Sequence, residues 1–197
     1  MTKILICDDH PIVSNGLREL FSEMPEYQIV GVLETAQSIG PAIHRLCPDL
    51  VFLDINMMGV NTIELISGFK AIRPSLRVIL FSSYNLPSLV SRAFAENADA
   101  YLLKTSGRDE ILSACNTVLN GQKFIGTEVN IRKSDRQKVA NNTPLPMDKF
   151  EALEPLTEKE LAIFHLVAAG KTESEIAGQL YISKHTVHTQ RKNLMAK

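Results

Sequence analysis

Residues 4–10 read Ile-Leu-Ile-Cys-Asp-Asp-His, and this short stretch decides how the first part of the chain folds. The four apolar residues from Ile4 to Cys7 are typical of a buried strand, and Asp8 and Asp9 follow directly after it. Two adjacent carboxylates repel each other near an apolar core, so they need either a solvated turn or a cation. For the pair alone the solvated turn is favoured, because aspartates after strands are usually turn residues.

The size and composition of the chain exclude several classes of protein. With 197 residues, of which 45% are hydrophobic, the chain has enough apolar material for one large or two small packed domains. No apolar stretch approaches the roughly 20 residues that a membrane-spanning helix needs, and Met1 leads directly into a strand-like run, so neither a membrane span nor a signal peptide is expected. The three cysteines show no CxxC spacing, which disfavours a disulfide framework or a zinc site and fits a cytoplasmic protein.

Charge is distributed unevenly along the chain, although the net charge is only −1. Residues 1–125 contain 10 basic and 13 acidic residues, whereas residues 126–197 contain 11 basic and 9 acidic residues. From Tyr181 onward there are four basic residues and no acidic one. An acidic first part and a basic end indicate two domains with different functions.

The first 120 residues alternate between short apolar runs and stretches with helical spacing. Five runs have strand character: Lys3–Cys7, Gln28–Leu33, Leu50–Leu53, Val78–Phe81 and Ala100–Leu103. Between them, apolar residues recur three and four positions apart, as in Leu17, Leu20 and Phe21. Strands that alternate with helices predict an α/β domain at residues 1–124, with a parallel five-stranded sheet covered by helices on both faces.

The rest of the chain divides into a linker and a small helical domain. Residues 125–151 lose the alternation and include the turn-forming run Asn141–Pro146, so we predict a linker there. Residues 152–197 contain two capping boxes, beginning at Thr157 and Thr172, with Gly170 between them where a helix ends. Ser183 is placed to cap a third short helix, and this arrangement predicts an all-α helix-turn-helix domain.

Polar side chains follow four of the predicted strands, each at the point where the strand ends. Asp8 and Asp9 follow the first strand, Asp54 the third, Ser82 the fourth and Lys104 the fifth. Because the ends of parallel strands meet at one edge of a sheet, these side chains should converge there, where open α/β sheets bind ligands. Each of these residues alone could simply be a turn residue, a helix cap or a solvated charge. Together, their positions favour a ligand-binding site.

The converging residue types suit phosphoryl chemistry with a hard metal ion. Carboxylates can share one Mg²⁺ ion, which binds to carboxylates together with water and phosphate. A carboxylate can also act as a nucleophile and become an acyl phosphate. A lysine and a hydroxyl group nearby would then hold the phosphoryl oxygens. The sequence therefore predicts a Mg²⁺-dependent phosphoryl site at this edge.

The segments ILICDDHP, PDLVFLDINM, VILFSS and ADAYLLK resemble the receiver domain of bacterial two-component response regulators over about residues 1–125. The resemblance implies a flavodoxin-like, doubly wound fold with strand order 2-1-3-4-5. It also implies that Asp54 is the phosphoacceptor, that a sensor histidine kinase is the donor, and that Lys104 pairs with the phosphoryl group. Ser82 and Tyr101 match the two switch residues. By the same resemblance the Mg²⁺ ligands are Asp8, Asp9, Asp54 and the backbone carbonyl of Asn56.

The sequence departs from the receiver pattern at Thr105, where many receivers have proline, and in the loop after the phosphoacceptor. Receivers usually have Pro-Gly and Asp-Gly there, whereas this chain reads Met57-Met58-Gly59-Val60-Asn61-Thr62. The loop is therefore expected to have a shape of its own.

The final segment, from LTEKELAIF to the end, resembles the helix-turn-helix domain of FixJ/NarL-type (LuxR-type) regulators over about 40 residues. In its last helix, Val187 should face the core, while polar and basic side chains face the major groove or the phosphates of double-stranded DNA. The residues expected to contact DNA are Lys184, Thr186, His188, Thr189, Arg191 and Lys192. A fourth helix that serves dimerisation is usual in this family, whereas the sequence given ends at Lys197, inside or just past the recognition helix; we expect either an apparent truncation or a domain without that helix.

The two resemblances together imply a cytoplasmic response regulator that controls transcription, forms a homodimer when phosphorylated, and is not a turnover enzyme. One alternative is a Mg²⁺-dependent aspartyl-phosphate phosphatase, but such enzymes want DxD at the nucleophile and this chain has Asp54-Ile55-Asn56. Turnover of phosphate monoesters would favour that alternative. A second alternative is a receiver-based interaction module that no longer binds DNA, which loss of specific DNA binding would favour.

Overall fold

The computed structural model describes residues 1–140, 163, 166–167, 170–180, 183–184, 186–189 and 191. The chain divides into two compact units, residues 1–147 and residues 148–197. Within the described residues, no helix is both long and apolar enough to cross a membrane.

The first unit is built on a parallel sheet. Its strands are β1 (Thr2–Cys7), β2 (Tyr27–Leu33), β3 (Leu50–Leu53), β4 (Arg77–Ser82), β5 (Ala100–Leu103) and β6 (Phe124–Ile125). Their order across the sheet is β2-β1-β3-β4-β5-β6. The predicted order of the first five strands is confirmed, but the predicted number of strands is wrong. The sixth strand pairs through only two residues, which is too short for an apolar pattern to reveal.

Helices cover both faces of this sheet. They are α1 (Pro11–Ser22), α2 (Ile39–Leu46), α3 (Ile66–Ile72), α4 (Pro87–Ala95) and α5 (Arg108–Leu119). Alternate residues of β1 point to opposite faces: Ile4 and Ile6 pack with α1 and α5, while Leu5 and Cys7 pack with α2, α3 and α4. The strands are therefore apolar on both sides, and polar groups lie at the strand ends.

Residues 124–140 belong to the first unit, although the sequence assigned most of them to a linker. After β6 comes a further helix, α6 (Lys133–Ala140), whose Val139 is buried against Ile125 and Val129. Helix α6 is strongly polar apart from this contact, so its sequence carries little apolar periodicity. The first part of the segment predicted as a linker is held by the buried side chains of Ile125, Val129 and Val139 and by hydrogen bonds from Arg136.

The second unit contains helix α7 (Glu173–Gln179) and a small apolar cluster of Ile163, Ile176, Ala177 and Val187. The predicted capping box at Thr172 is confirmed, since its hydroxyl accepts from the Glu175 N–H and the Glu175 carboxylate accepts from the Thr172 N–H. Gly170 has a φ of +74°, as expected of a residue that ends a helix. The capping box predicted at Thr157 lies outside the described residues.

Candidate functional site

The strand ends bring the predicted polar residues together at the carboxyl edge of the sheet. Asp8 and Asp9 follow β1, Asp54 follows β3, and Lys104 follows β5. The backbone ladder continues one residue beyond the strands, because the Asp54 N–H donates to the Cys7 carbonyl at 2.9 Å. The side chains at this edge are thus held by strand register rather than by long flexible loops.

Lys104 lies between two of the carboxylates. Its Nζ is 2.8 Å from Asp8 Oδ2 and 2.9 Å from Asp54 Oδ2. All three side chains are largely buried, with 11% of Lys104, 3% of Asp8 and 5% of Asp54 exposed. Water screens charges poorly at such a depth, so these contacts are electrostatically much stronger than ion pairs on the surface.

His10, for which the sequence pattern predicted no role, also contacts the carboxylates. Its Nδ1 lies 2.9 Å from Asp9 Oδ1, 3.0 Å from Asp8 Oδ1 and 3.7 Å from Asp54 Oδ2. Its backbone N–H donates to Asp8 Oδ1 at 2.9 Å, which turns the chain so that the ring faces the acids. A histidine directly after two aspartates was the signal, but only the turn geometry shows where its ring points.

The pKa values of Asp54 and Lys104 reflect this crowded arrangement. Burial raises the pKa of Asp54 above its ordinary value, and the hydrogen bond from Lys104 offsets only part of that effect. Burial alone would lower the pKa of Lys104, but its hydrogen bonds to Asp8 and Asp54 outweigh burial and raise it. The ionised Asp54 carboxylate is thus held at a free-energy cost that a further positive charge would reduce.

The donor set fits a hard divalent cation. Asp8, Asp9, His10 and Asp54 each offer a ligand atom, and these atoms lie within 4.8 Å of one another. Three carboxylates face the single ammonium group of Lys104, which leaves an excess of negative charge. Asp9 Oδ1 is buried, and its close contact is the His10 Nδ1 at 2.9 Å, which is itself one of the potential metal ligands. Carboxylate oxygens are the ligands that Mg²⁺ prefers.

The loop after Asp54, whose sequence differs from the usual receiver pattern, forms a short antiparallel hairpin in which Asn56–Met57 pairs with Val60–Asn61. Met58 and Gly59 make its turn with φ values of 51° and 84°, a left-handed pair that suits a two-residue hairpin turn. The Met58 N–H donates to Asp9 Oδ2 at 2.9 Å, so the hairpin fixes Asp9. Asn56 lies beside the pocket in this hairpin, and its role as a carbonyl ligand stays a prediction.

Two further residues, Thr62 and Ser82, form hydrogen bonds with the backbone of pocket residues. The buried hydroxyl of Thr62 donates to the backbone carbonyl of Asp54, which fixes the peptide that carries the carboxylate. Thr62 was missed because the eight-residue separation has no recognisable spacing. Ser82 ends β4 and is fully buried, and its carbonyl accepts from the Lys104 N–H at 2.8 Å.

The predicted switch pair, Ser82 and Tyr101, is joined through Tyr84. Ser82 Oγ accepts from the Tyr84 N–H at 3.0 Å, and the Tyr101 hydroxyl donates to the Tyr84 carbonyl at 2.7 Å. Tyr101 is fully buried, and burial raises its pKa to about 12. The ring therefore faces inward in this structure, and the two predicted switch residues hold the two backbone polar groups of Tyr84, in the loop before α4.

In the second unit, most residues predicted to contact DNA lie at the surface. Val187 is buried, whereas Lys184, Thr186, His188 and Thr189 are exposed and Arg191 is partly exposed. The predicted contact Lys192 lies outside the described residues.

Two of these surface residues contact an acidic residue, Glu173, for which the sequence pattern predicted no role. His188 Nδ1 lies 3.1 Å from Glu173 Oε1, and Arg191 Nη1 lies 3.7 Å from the same oxygen. Glu173 is the first residue of α7, where a negative charge is favourable to the helix. The contacts of Glu173 with His188 and Arg191 depend on tertiary packing, and the sequence pattern does not reveal them.

Comparison with known proteins gives two family matches that together cover most of the chain. Residues 4–116 match the response regulator receiver domain, and residues 154–197 match the luxR family of bacterial regulatory proteins. Response regulator protein VraR from Staphylococcus saprophyticus is 29% identical over 195 residues, which are 99% of this chain and 89% of that protein. VraR from Staphylococcus aureus gives the same values.

Solved structures show similar architecture. RcsB from Salmonella typhimurium is 25% identical and superposes with a TM-score of 0.62, covering 100% of this chain and 92% of that one. RcsB from Salmonella enterica serovar Typhimurium, bound to promoter rprA with the phosphomimetic BeF3⁻, gives a TM-score of 0.59 at 25% identity, with coverages of 99% and 90%. A LuxR-family two-component response regulator from Aurantimonas sp. gives 0.62 at 25% identity, covering 72% of this chain and 98% of that one.

Proposed function

The chain belongs to the response regulators, and we propose that a sensor histidine kinase transfers a phosphoryl group to Asp54 and thereby controls DNA binding by the second unit. The observation that carries this proposal is the placement of Asp54. Its carboxylate is almost fully buried, lies 2.9 Å from Lys104 Nζ, and belongs to a cluster of four potential metal ligands.

In the proposed reaction, a carboxylate oxygen of Asp54 attacks the phosphorus of the phosphohistidine. A new O–P bond forms, the N–P bond of the donor breaks, and the departing imidazole keeps the electron pair of that bond. A Mg²⁺ ion held by Asp8, Asp9, Asp54 and the Asn56 carbonyl would neutralise charge on the phosphoryl oxygens. Lys104 is already next to Asp54, so its ammonium group needs only a small movement to pair with the incoming phosphoryl group.

The switch follows from the contacts of Ser82. When a phosphoryl group occupies Asp54, the Ser82 hydroxyl turns to donate to it and leaves the Tyr84 N–H. Tyr84 then loses one of the two hydrogen bonds that hold its backbone, and the loop before α4 changes position with Tyr101. Phosphorylation is thus converted into a change of shape at the surface beside β4 and β5.

Binding of double-stranded DNA by the second unit is supported by its surface chemistry and by its relatives. Exposed basic and hydroxyl-bearing residues occupy one helix beside α7, and Lys184 and Arg191 suit phosphate contacts. RcsB, which this chain resembles over its whole length, has been solved as dimers bound to DNA. In the proposed function, the protein is therefore a transcription regulator that acts as a homodimer when phosphorylated and does not turn over a substrate.

The experiment that tests the site uses Mg²⁺ and the small phosphodonor acetyl phosphate. Intact mass should show one added phosphoryl group on the wild-type chain and none on Asp54→Asn. Asp9→Ala should weaken Mg²⁺ binding, so that a higher Mg²⁺ concentration is needed to reach the same phosphorylation. Asp109→Asn, which alters an exposed carboxylate in the first turn of α5, is the matched control and should be phosphorylated normally. Undiminished phosphorylation of Asp54→Asn contradicts the assignment of Asp54.

A selection from random duplex DNA tests the second half of the proposal. The phosphorylated wild-type chain should enrich a defined sequence, and the unphosphorylated chain should enrich it less. Equal, unselective recovery from both preparations contradicts control of sequence-specific DNA binding by the phosphoryl group.

A further inference from the structure

Asn85 connects the loop before α4 to the segment that follows β6. Its Nδ2 donates to the Glu128 carbonyl at 3.0 Å, and its Oδ1 accepts from the Asn130 N–H at 2.6 Å. The side-chain amide of Asn85 thus donates one hydrogen bond to a backbone carbonyl and accepts another from a backbone N–H. Asparagine satisfies both groups at once, whereas aspartate or alanine does not.

The residue before Asn85 is the one held by the switch pair. Tyr84 receives its backbone contacts from Ser82 and Tyr101, so two consecutive residues join the buried switch on one side to residues 128–130 on the other. Since one peptide unit separates these contacts, a displacement of Tyr84 moves the point from which the Asn85 side chain extends.

The segment held by Asn85 leads into α6 and is itself tightly packed. The guanidinium group of Arg136 in α6 donates to the carbonyls of Ile125, Gly126 and Val129 at 2.8, 3.0 and 2.9 Å. Val139, one turn further along α6, is 2% exposed and packs against the same segment. These hydrogen bonds and this packing connect α6 to the segment that Asn85 holds, and in the chain residues 124–140 precede the second unit.

We propose that Asn85 is a positioning residue that couples the Ser82–Tyr101 switch pair to residues 124–140. The proposal rests on the proposed function, because it requires a phosphoryl group at Asp54 to draw Ser82 away from Tyr84. When Tyr84 shifts, Asn85 changes its hold on residues 128 and 130, and the change is passed through Arg136 to α6. The signal thus reaches the stretch of chain that leads to the second unit through a short series of hydrogen bonds.

Hydrogen exchange on the full chain, with and without Mg²⁺ and beryllofluoride, tests this coupling. In the wild type, exchange should change both in residues 83–86 and in residues 128–140. In Asn85→Ala, residues 128–140 should exchange roughly tenfold faster without beryllofluoride, because two backbone groups lose their partner. The response of residues 128–140 to beryllofluoride should be lost, while that of residues 83–86 remains.

Two further variants separate coupling from general loosening of the loop. Asn85→Asp keeps the acceptor for Asn130 and loses the donor to Glu128, so it should give an intermediate response. Ser83→Ala changes an exposed side chain of the same loop and should behave as the wild type. Asn85→Ala should accept a phosphoryl group from acetyl phosphate within about twofold of the wild-type rate, since Asn85 makes no described contact with the pocket.

The outcomes distinguish failure of the coupling from failure of the proposed function. A response of wild-type size in residues 128–140 of Asn85→Ala overturns the coupling role of Asn85. A response of residues 83–86 without one at 128–140 in the wild type also overturns it, and leaves the receiver function intact. If the wild-type chain neither gains a phosphoryl group nor responds at residues 83–86, the proposed function fails, and the coupling that rests on it fails too.

Discussion

The acidic pocket of the first unit and the basic surface of the second unit both depend on charge, but in opposite surroundings. In the pocket, Lys104 and Asp54 have side chains that are 11% and 5% exposed. In the second unit, the side chains of His188, Arg191 and Glu173 are 65%, 40% and 35% exposed. The same kinds of ion pair are therefore strongly coupled in one region and screened by water in the other.

This difference assigns different tasks to the two regions. In the pocket, each charge alters the protonation and metal affinity of its neighbours, which suits chemistry at a single atom. On the basic surface, each charge contributes a small increment that depends on salt, which suits binding to a polyanion. Single substitutions should accordingly have large effects in the pocket and small, additive effects on the surface.

The largest effect is expected from removing the ammonium group of the pocket. Lys104→Met keeps the aliphatic stem but leaves Asp8 and Asp54 facing each other, so it should lower the free energy of unfolding by about 3 kcal/mol in the absence of divalent ions. Mg²⁺ should restore part of that loss, because it binds only to the folded pocket. Urea denaturation with and without Mg²⁺ measures both effects.

The matched control for Lys104→Met is an exposed ion pair in the same unit. Arg92 Nη2 lies 2.6 Å from Glu64 Oε1, and both side chains are about half exposed. Arg92→Met should lower stability by no more than about 1 kcal/mol and should not respond to Mg²⁺. Equal losses for the two variants would show that burial does not set the pocket apart.

A smaller effect, dependent on pH, is expected from Asp54→Asn. Because burial raises the pKa of Asp54 in the folded state, folded wild-type protein binds its proton more tightly than unfolded protein does. Wild-type stability therefore falls as the pH rises from the ordinary value of 3.8 through the raised pKa, and then levels off. The stability of Asp54→Asn relative to the wild type should therefore rise over this window.

Denaturation across a pH series without Mg²⁺ measures this difference. The same series with saturating Mg²⁺ is the control, and there the advantage of Asp54→Asn should vanish or reverse, since the ion favours the ionised wild-type carboxylate. A relative stability that falls as pH rises in the metal-free series would mean that Lys104 outweighs burial at Asp54.

The smallest effect is expected on the basic surface of the second unit. Glu173 lies near His188 and Arg191, and it must give up these contacts if they bind phosphates. Glu173→Gln should tighten binding to specific and random duplex DNA about threefold. It should also make the slope of log affinity against log salt concentration steeper by about one. Fluorescence anisotropy titrations over a salt series measure both.

Glu175→Gln is a close control for Glu173→Gln, because it removes the same charge from the same turn of α7. Glutamine can replace glutamate in a capping box, so the helix should remain intact. Glu175→Gln should change DNA affinity less than Glu173→Gln does. Equal effects would indicate that only the net charge of the second unit matters. Weaker DNA binding by Glu173→Gln would indicate that Glu173 itself supports the complex.

Much of the pocket could be predicted because it lies at strand ends. Asp8, Asp54 and Lys104 each follow an apolar run, and parallel strands place such residues at one edge. His10 and Thr62 were missed, since their roles depend on the turn after Asp8 and on the short hairpin between Asp54 and Thr62. Side chains that act through turn geometry leave no periodic pattern in a sequence.

By itself, the sequence determined the alternation of strands and helices, the strand order through its resemblance to receivers, and the residue types at the carboxyl edge. It did so because apolar periodicity and strand-end polarity are local features. Only the tertiary structure decided that β6 and α6 belong to the first unit, that Tyr84 joins Ser82 to Tyr101, and that Glu173 meets the basic helix. These contacts join residues distant in the chain through single hydrogen bonds or ion pairs, whose partners are fixed by packing and not by spacing.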